Sequence, residues 1–147
     1  MSHSYSKIWL HSIFATKERT PLIPERIEAQ IYQHLKQQLF EMSCPVRIIN
    51  GMPDHVHSLY LQNPRMSVID VLKQMKGNTS FWVNGQNLIP QKFAWQTGYA
   101  IYSVSESQLE KVAQYIANQK IHHAKKSFAD EFRDLAILHG LNVEENP

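Results

Sequence analysis

His55-Val56-His57 sets two imidazoles one residue apart, and much later in the chain a phenol and an amide, Tyr115 and Gln119, follow four apart. Alternate side chains of an extended strand face the same way, about 6.5–7 Å apart, so the two imidazoles can share one metal ion. Residues four apart on a helix are neighbours, so Tyr115 and Gln119 can reach a common point. A metal site beside a phenol is suited to phosphodiester chemistry. The histidine triplet proves little alone, because eight histidines in 147 residues generate roughly 0.4 His-x-His triplets by composition. Its context is more informative: the turn Gly51-Met52-Pro53-Asp54 precedes it, and residues 56–61 alternate as a strand does.

The elements that must position these groups can be read from periodicity. Residues 6–16 are β-prone and end at a turn marked by Pro21 and Pro24. Ile27, Ile31, Leu35, Leu39 and Met42 recur at helical spacing over 25–42, with Pro24 placed to start the helix. A short strand over 46–50 turns through 51–54 into the strand that carries the histidines. Ser67 with Asp70 opens a second amphipathic helix that Asn84-Gly85 ends. Residues 93–104, rich in aromatic and β-branched side chains, read as a fourth strand, and Ser105 with Gln108 as another capping box. A long helix then runs to about residue 126. Ser127 with Asp130 restarts a short one through Phe132, Leu135 and Leu138, closed by Gly140.

Strand-helix-strand twice over predicts an α+β fold of ferredoxin-like, split βαβ type: a four-stranded antiparallel sheet with helices on one face, and additional C-terminal helices. On the long C-terminal helix Leu109, Val112, Ala113, Ile116 and Ala117 form the stripe expected to bury, while Tyr115, Gln119, His122 and Lys126 lie on a second flank.

Chain-wide properties bound the function. No repeat or linker divides the chain, so residues 1–147 read as a single domain. A net charge of +2, from 15 basic and 13 acidic side chains, excludes a strongly basic tail but permits a local basic face; Lys17, Arg19, Arg65, Lys73, Lys76 and Lys92 are its candidates. One cysteine, Cys44, forms no internal disulfide, and no secretory leader or span of about 20 apolar residues is visible. A cytoplasmic protein without a membrane segment is expected.

Three strings carry a family resemblance: GMPDHVH at 51–57, FAWQTGY at 93–99 and VAQYIANQKIHH at 112–123. Together, over about residues 6–138, they resemble the single-tyrosine HUH transposases: the transposase-A enzymes of single-strand insertion sequences and the REP-associated tyrosine transposases. The resemblance implies a homodimer with shared active sites that acts on single-stranded DNA, often beside a hairpin. It implies metal ligation by His55, His57 and Gln119 and a nucleophile at Tyr115.

The residue chemistry agrees. Two neutral imidazoles and an amide oxygen leave positions open on a divalent ion, Mn2+ or Mg2+, for a phosphate oxygen. Attack by tyrosine would give a 5′-phosphotyrosine and release a 3′-OH, and the retained ester energy would allow rejoining without ATP. A phenol of ordinary pKa near ~10 needs help to ionise; His122, Lys120 and Lys126 are the nearest candidates in sequence, whereas His122 and His123 otherwise read as DNA contacts or helix surface. Trp82, Phe93 and Trp95 offer either stacking surfaces or core, and Tyr60, Tyr99 and Tyr102 read as packing in or beside the sheet. The expected function is a metal-dependent transposase that cleaves and rejoins single-stranded DNA. The alternative is a non-catalytic ferredoxin-like nucleic-acid-binding module. A cupin-like metal protein fits poorly with so much helix and only five glycines.

Overall fold

A computed structural model describes residues 3–141. The elements run β1 (Trp9–Ala15), α1 (Glu25–Glu41), β2 (Val46–Met52), β3 (His55–Leu61), α2 (Val68–Gly85), β4 (Ala100–Val104), α3 (Leu109–Ala117), α4 (Gln119–His122) and α5 (Phe128–Leu138). The strands form one sheet in the order β2-β3-β1-β4, with every neighbouring pair antiparallel. This is the split βαβ arrangement expected from the sequence.

Strand alternation divides the sheet's side chains between two layers. Leu10 and Phe14 of β1 and Val56 and Tyr60 of β3 face one way, into a core with Ile27, Ile31, Leu35 and Leu39 of α1 and Val71, Leu72 and Met75 of α2. The C-terminal helices cover the opposite face. Leu59 and Val104 pack there on Ala113 and Ile116 of α3, and Ile13, Ala100 and Tyr102 on Phe128 of α5. His55 and His57 have the parity of Leu59, so they point into this second layer. Burial on both sides makes β3 an interior strand along nearly its whole length.

Three expectations are corrected. First, β4 begins at Ala100 rather than residue 93. Phe93 fills the core instead, its backbone held by the Asn84 side chain (Asn84 Nδ2 donates to Phe93 O, 2.9 Å; Phe93 N–H donates to Asn84 Oδ1, 2.8 Å), and Trp95 contributes a single bridge to Thr16. Gly98, at φ +97°, turns the chain before the strand can start.

Second, Ser105 precedes a short 3-10 turn, Glu106–Gln108, without a side-chain cap. Glu106 accepts instead from Lys7 Nζ (3.0 Å) and Trp9 Nε1 (2.8 Å).

Third, the long helix breaks at Asn118 (φ −95°, ψ 18°). Asn50 of β2 donates from Nδ2 to the carbonyls of Ile116 (3.0 Å) and Ala117 (3.3 Å), so the freed helix end is satisfied from the sheet. Ala117, assigned to the buried stripe, is exposed, whereas Ala113 and Ile116 are buried as expected. The start of α5 is as expected: Ser127 Oγ accepts from Asp130 N–H (3.2 Å), and Gly140 follows the helix at φ +76°.

Candidate active site

The β2–β3 hairpin brings the histidines to the end of the sheet that α3, α4 and α5 cover. Its turn is tight: a Cβ on Gly51 would lie 2.2 Å from the carbonyl oxygen of His55, so only glycine fits. His55 and His57 are both 0% exposed, with ring centroids 5.2 Å apart. Each ring has its outer nitrogen occupied. His55 Nδ1 lies 2.7 Å from Asp54 Oδ1, and His57 Nδ1 lies 2.8 Å from Nε2 of His11 on β1. Both Nε2 atoms therefore point inward.

The inward atoms converge on a residue that the sequence reading missed, Glu131 of α5. Its Oε1 lies 3.2 Å from His55 Nε2, 3.1 Å from His57 Nε2 and 3.0 Å from His123 Nε2. Its Oε2 accepts from the Tyr115 hydroxyl and from Gln119 Nε2 (2.8 Å). Gln119 is buried, with Oε1 3.2 Å from His55 Nε2. All four residues expected at the site, His55, His57, Tyr115 and Gln119, are thus brought together within one chain. The one available signal for Glu131 was its place on the apolar stripe of α5, with Phe128, Phe132 and Leu135 at helical spacing around it. A first-turn glutamate otherwise reads as a complement to the helix dipole.

His55, His57 and Glu131 can each offer one ligand atom, and these atoms all lie within 4.8 Å of one another. If His55 donates its Nδ1 proton to Asp54, a bare Nε2 lone pair faces two oxygens, Gln119 Oε1 and Glu131 Oε1. Three lone pairs so placed repel unless a proton or a cation stands among them, so the donor set fits a positive ion. The titration of the groups follows the same logic. Burial disfavours a charged His55, but Asp54 and Glu131 prevail and raise its pKa. Burial prevails at His57 and lowers it. Burial opposes ionisation of Glu131 as well, yet His55 and His57 hold its carboxyl far below the usual range. Burial, and then Glu131, push the Tyr115 phenol well above its ordinary value. In this arrangement Tyr115 is a protonated phenol.

The groups expected to assist the tyrosine are distributed differently. His122 stacks on Tyr115, ring centroids 4.7 Å apart and 28° between planes, with a buried Nε2 that has no partner. Lys120 turns away to Gly51 O and to Glu28 (3.1 Å), and Lys126 pairs with Asp134. His123, expected at the surface or on DNA, instead reaches Glu131, because the chain leaves the helix there. Two of the basic candidates are engaged elsewhere: Arg19 lies over the Phe128 ring (5.3 Å), and Lys76 donates to Gln96 O (3.0 Å) and Gly98 O (2.8 Å). Trp82 stacks on His34 and Trp95 packs edge-on to Phe14 and Phe93, so these aromatics serve packing. Tyr60 and Tyr102 are buried as expected, and Tyr99 is 42% exposed. A cavity of about 450 Å³ between α3 and α5 opens beside Tyr115 and Glu131.

Fold and site together define an α+β protein whose central strand carries a histidine pair against a tyrosine-bearing helix. The family described as "Transposase IS200 like" matches residues 4–119. The chain belongs to that family, and hence to the proteins of DNA transposition and recombination. The ISDra2 transposase TnpA of Deinococcus radiodurans is 25% identical over 114 residues, spanning 74% of this chain and 81% of that protein. A crystal structure of a candidate transposase from Deinococcus radiodurans superposes with a TM-score of 0.65 at 25% identity, covering 81% of this chain and 96% of the other. A REP-associated tyrosine transposase bound to a REP hairpin shares the fold, with a TM-score of 0.56 at 15% identity over 97% of this chain and 89% of its own. The family match stops at Gln119, so α5 and Glu131 lie outside it. Among the described residues, no helix is long and apolar enough to cross a membrane.

Proposed function

We propose that this transposase cleaves and rejoins single-stranded DNA through a 5′-phosphotyrosine on Tyr115, with a divalent metal held by His55, His57, Glu131 and Gln119. The observation that carries this reading is the Glu131 carboxylate, which faces the histidine pair with one oxygen and Tyr115 with the other. Two imidazole nitrogens with carboxylate and amide oxygens suit Mn2+, and Mg2+ with the help of phosphate and water oxygens. When bound, the ion supplies a Lewis acid that draws charge from a non-bridging phosphate oxygen.

The residues of the chain do the remainder. Tyr115 attacks phosphorus, the P–O3′ bond breaks, and the phenolic proton, relayed by Glu131 Oε2, ends on the departing 3′ oxygen. His122 stacks on the phenol and orients it. Attack by a second 3′-OH reverses the step and joins DNA. The substrate is assigned as an unpaired strand beside a hairpin, supported by the hairpin-bound protein of this fold. Such a substrate is consistent with a cytoplasmic protein. The homodimer implied by the family resemblance is retained, with each site complete in its own protomer.

Labelled single-stranded DNA carrying a hairpin and flanking sequence is incubated with protein and Mn2+, and the adduct is mapped by peptide mass. Adduct on Tyr115, lost in Tyr115→Phe with DNA binding preserved, is expected. Adduct on Tyr60, Tyr99 or Tyr102 would overturn the assignment. A true substrate that gives no adduct would favour the binding-module alternative.

A further inference from the structure

His11 is neither a proposed ligand nor a nucleophile, yet it is a buried polar side chain in direct contact with the site. On the β1–β3 ladder Ile13 pairs with His57 and His11 with Leu59, so His11 and His57 meet diagonally on the same face. Their rings stack with centroids 5.1 Å apart, and His11 Nε2 lies 2.8 Å from His57 Nδ1. Both residues are buried, His11 at 3% exposure. Two imidazole nitrogens at that distance share one proton, so one of them donates and the other accepts.

The two ways of placing that proton are not equivalent. If His11 donates, His57 is protonated at Nε2; that ring can donate to Glu131 but has no lone pair for a metal. If His57 donates from Nδ1, its Nε2 is bare and points at Glu131 and His55, and the His11 proton resides on Nδ1. His11 lines the cavity beside Tyr115, where solvent can meet that Nδ1–H. Passing from one arrangement to the other moves a proton within each ring and changes no net charge.

We propose that His11 is a positioning residue for the metal centre: by accepting the Nδ1 proton of His57 it fixes the ring and the tautomer in which His57 Nε2 can ligate a divalent ion. This rests on the reading of His57 as a ligand. Asp54 serves His55 in the same way, so each imidazole of the pair has its own partner, a carboxylate for one and a third histidine for the other.

The test uses the full-length protein and Mn2+ as probe, with free Mn2+ measured by electron paramagnetic resonance. His11→Leu removes the acceptor and His11→Gln restores one at similar reach. The leucine variant should bind Mn2+ about 10–100-fold more weakly, and the glutamine variant should recover most of the loss. In the Zn2+-loaded wild type and glutamine variant, nitrogen NMR should find the His57 proton on Nδ1. A folded His11→Leu protein that binds Mn2+ as tightly as wild type overturns the proposal, as does a His57 without an Nδ1 proton. If the leucine variant does not fold, a glutamine variant as weak as His55→Ala overturns it equally. Undiminished binding by His55→Ala/His57→Ala would remove the metal reading itself, an outcome distinct from tight binding by His11→Leu alone.

Discussion

One carboxylate on α5 touches the two strand histidines, the tyrosine hydroxyl and the Gln119 amide that the proposed chemistry uses, and His123 besides. Replacing Glu131 by glutamine keeps the size and removes the charge, which separates packing from electrostatics. Mn2+ affinity should fall at least about tenfold, by loss of a charged oxygen donor. Because Glu131 raises the Tyr115 pKa, its removal should lower the pH at which that phenol titrates in the metal-free protein. Carbon-13 tyrosine NMR reads this directly, and an unshifted Tyr115 resonance would mean that burial alone holds the phenol protonated. At this scale the meeting of His55 and His57 was legible from strand spacing, and that of Tyr115 with Gln119 from the family resemblance, since the break at Asn118 takes Gln119 out of the helical spacing that would pair the two. Glu131 was not, since an acidic residue in a capped first turn is ordinary and nothing local says that it faces inward.

Secondary-structure elements were legible where pattern and end signals agreed. α1 buries the residues that its spacing selects, α2 buries Val71, Leu72 and Met75, and Ser127 caps α5. Legibility failed where distant parts of the chain decide the outcome. Phe93 and Trp95 have strand propensity but are used as core plugs. Nothing in residues 109–126 announces the break at Asn118, because the side chain that captures the freed carbonyls is Asn50 on β2. The break matters, for it frees Gln119 and His123 from the phase of α3. The hairpin permits a prediction at this scale. Gly51→Ala drives a Cβ into the backbone of the histidine strand. It should cost about 1–3 kcal/mol or more, lowering Tm by about 2–4 °C for each kcal/mol, measured by thermal denaturation. An unchanged Tm would mean that the turn relaxes freely and does not hold His55 in place.

Across the whole molecule, the case for a partner in the active site weakens. Shared active sites, as the family resemblance implies, would let the helix that carries Tyr115 cover Leu109, Val112 and Ile116 on a second subunit. The helix finds that cover on its own sheet, where Ile116 is fully buried against Leu59 and Val104, and Tyr115 meets Glu131 and His122 of the same chain. Mixing His55→Ala/His57→Ala protein with Tyr115→Phe protein should therefore restore no cleavage, whatever the oligomeric state. Recovered cleavage would show instead that the helices exchange between protomers.

The Asn118 break and the two short helices beyond it give the site an order of assembly. Its floor, β1 and β3, belongs to the four-stranded sheet, while its roof arrives from residues separated from His57 by 74 positions in the case of Glu131. Closing so long a loop is entropically late, and the roof can lift by local unfolding while the sheet persists. A molecule in that state keeps its histidines, and Tyr115 on the sheet-packed α3, but loses Gln119 and Glu131, so partial unfolding would silence the proposed cleavage rather than misdirect it. On heating, Mn2+ release and loss of adduct formation should precede loss of the sheet's circular dichroism signal. Coincident transitions would mean that roof and floor melt as one unit.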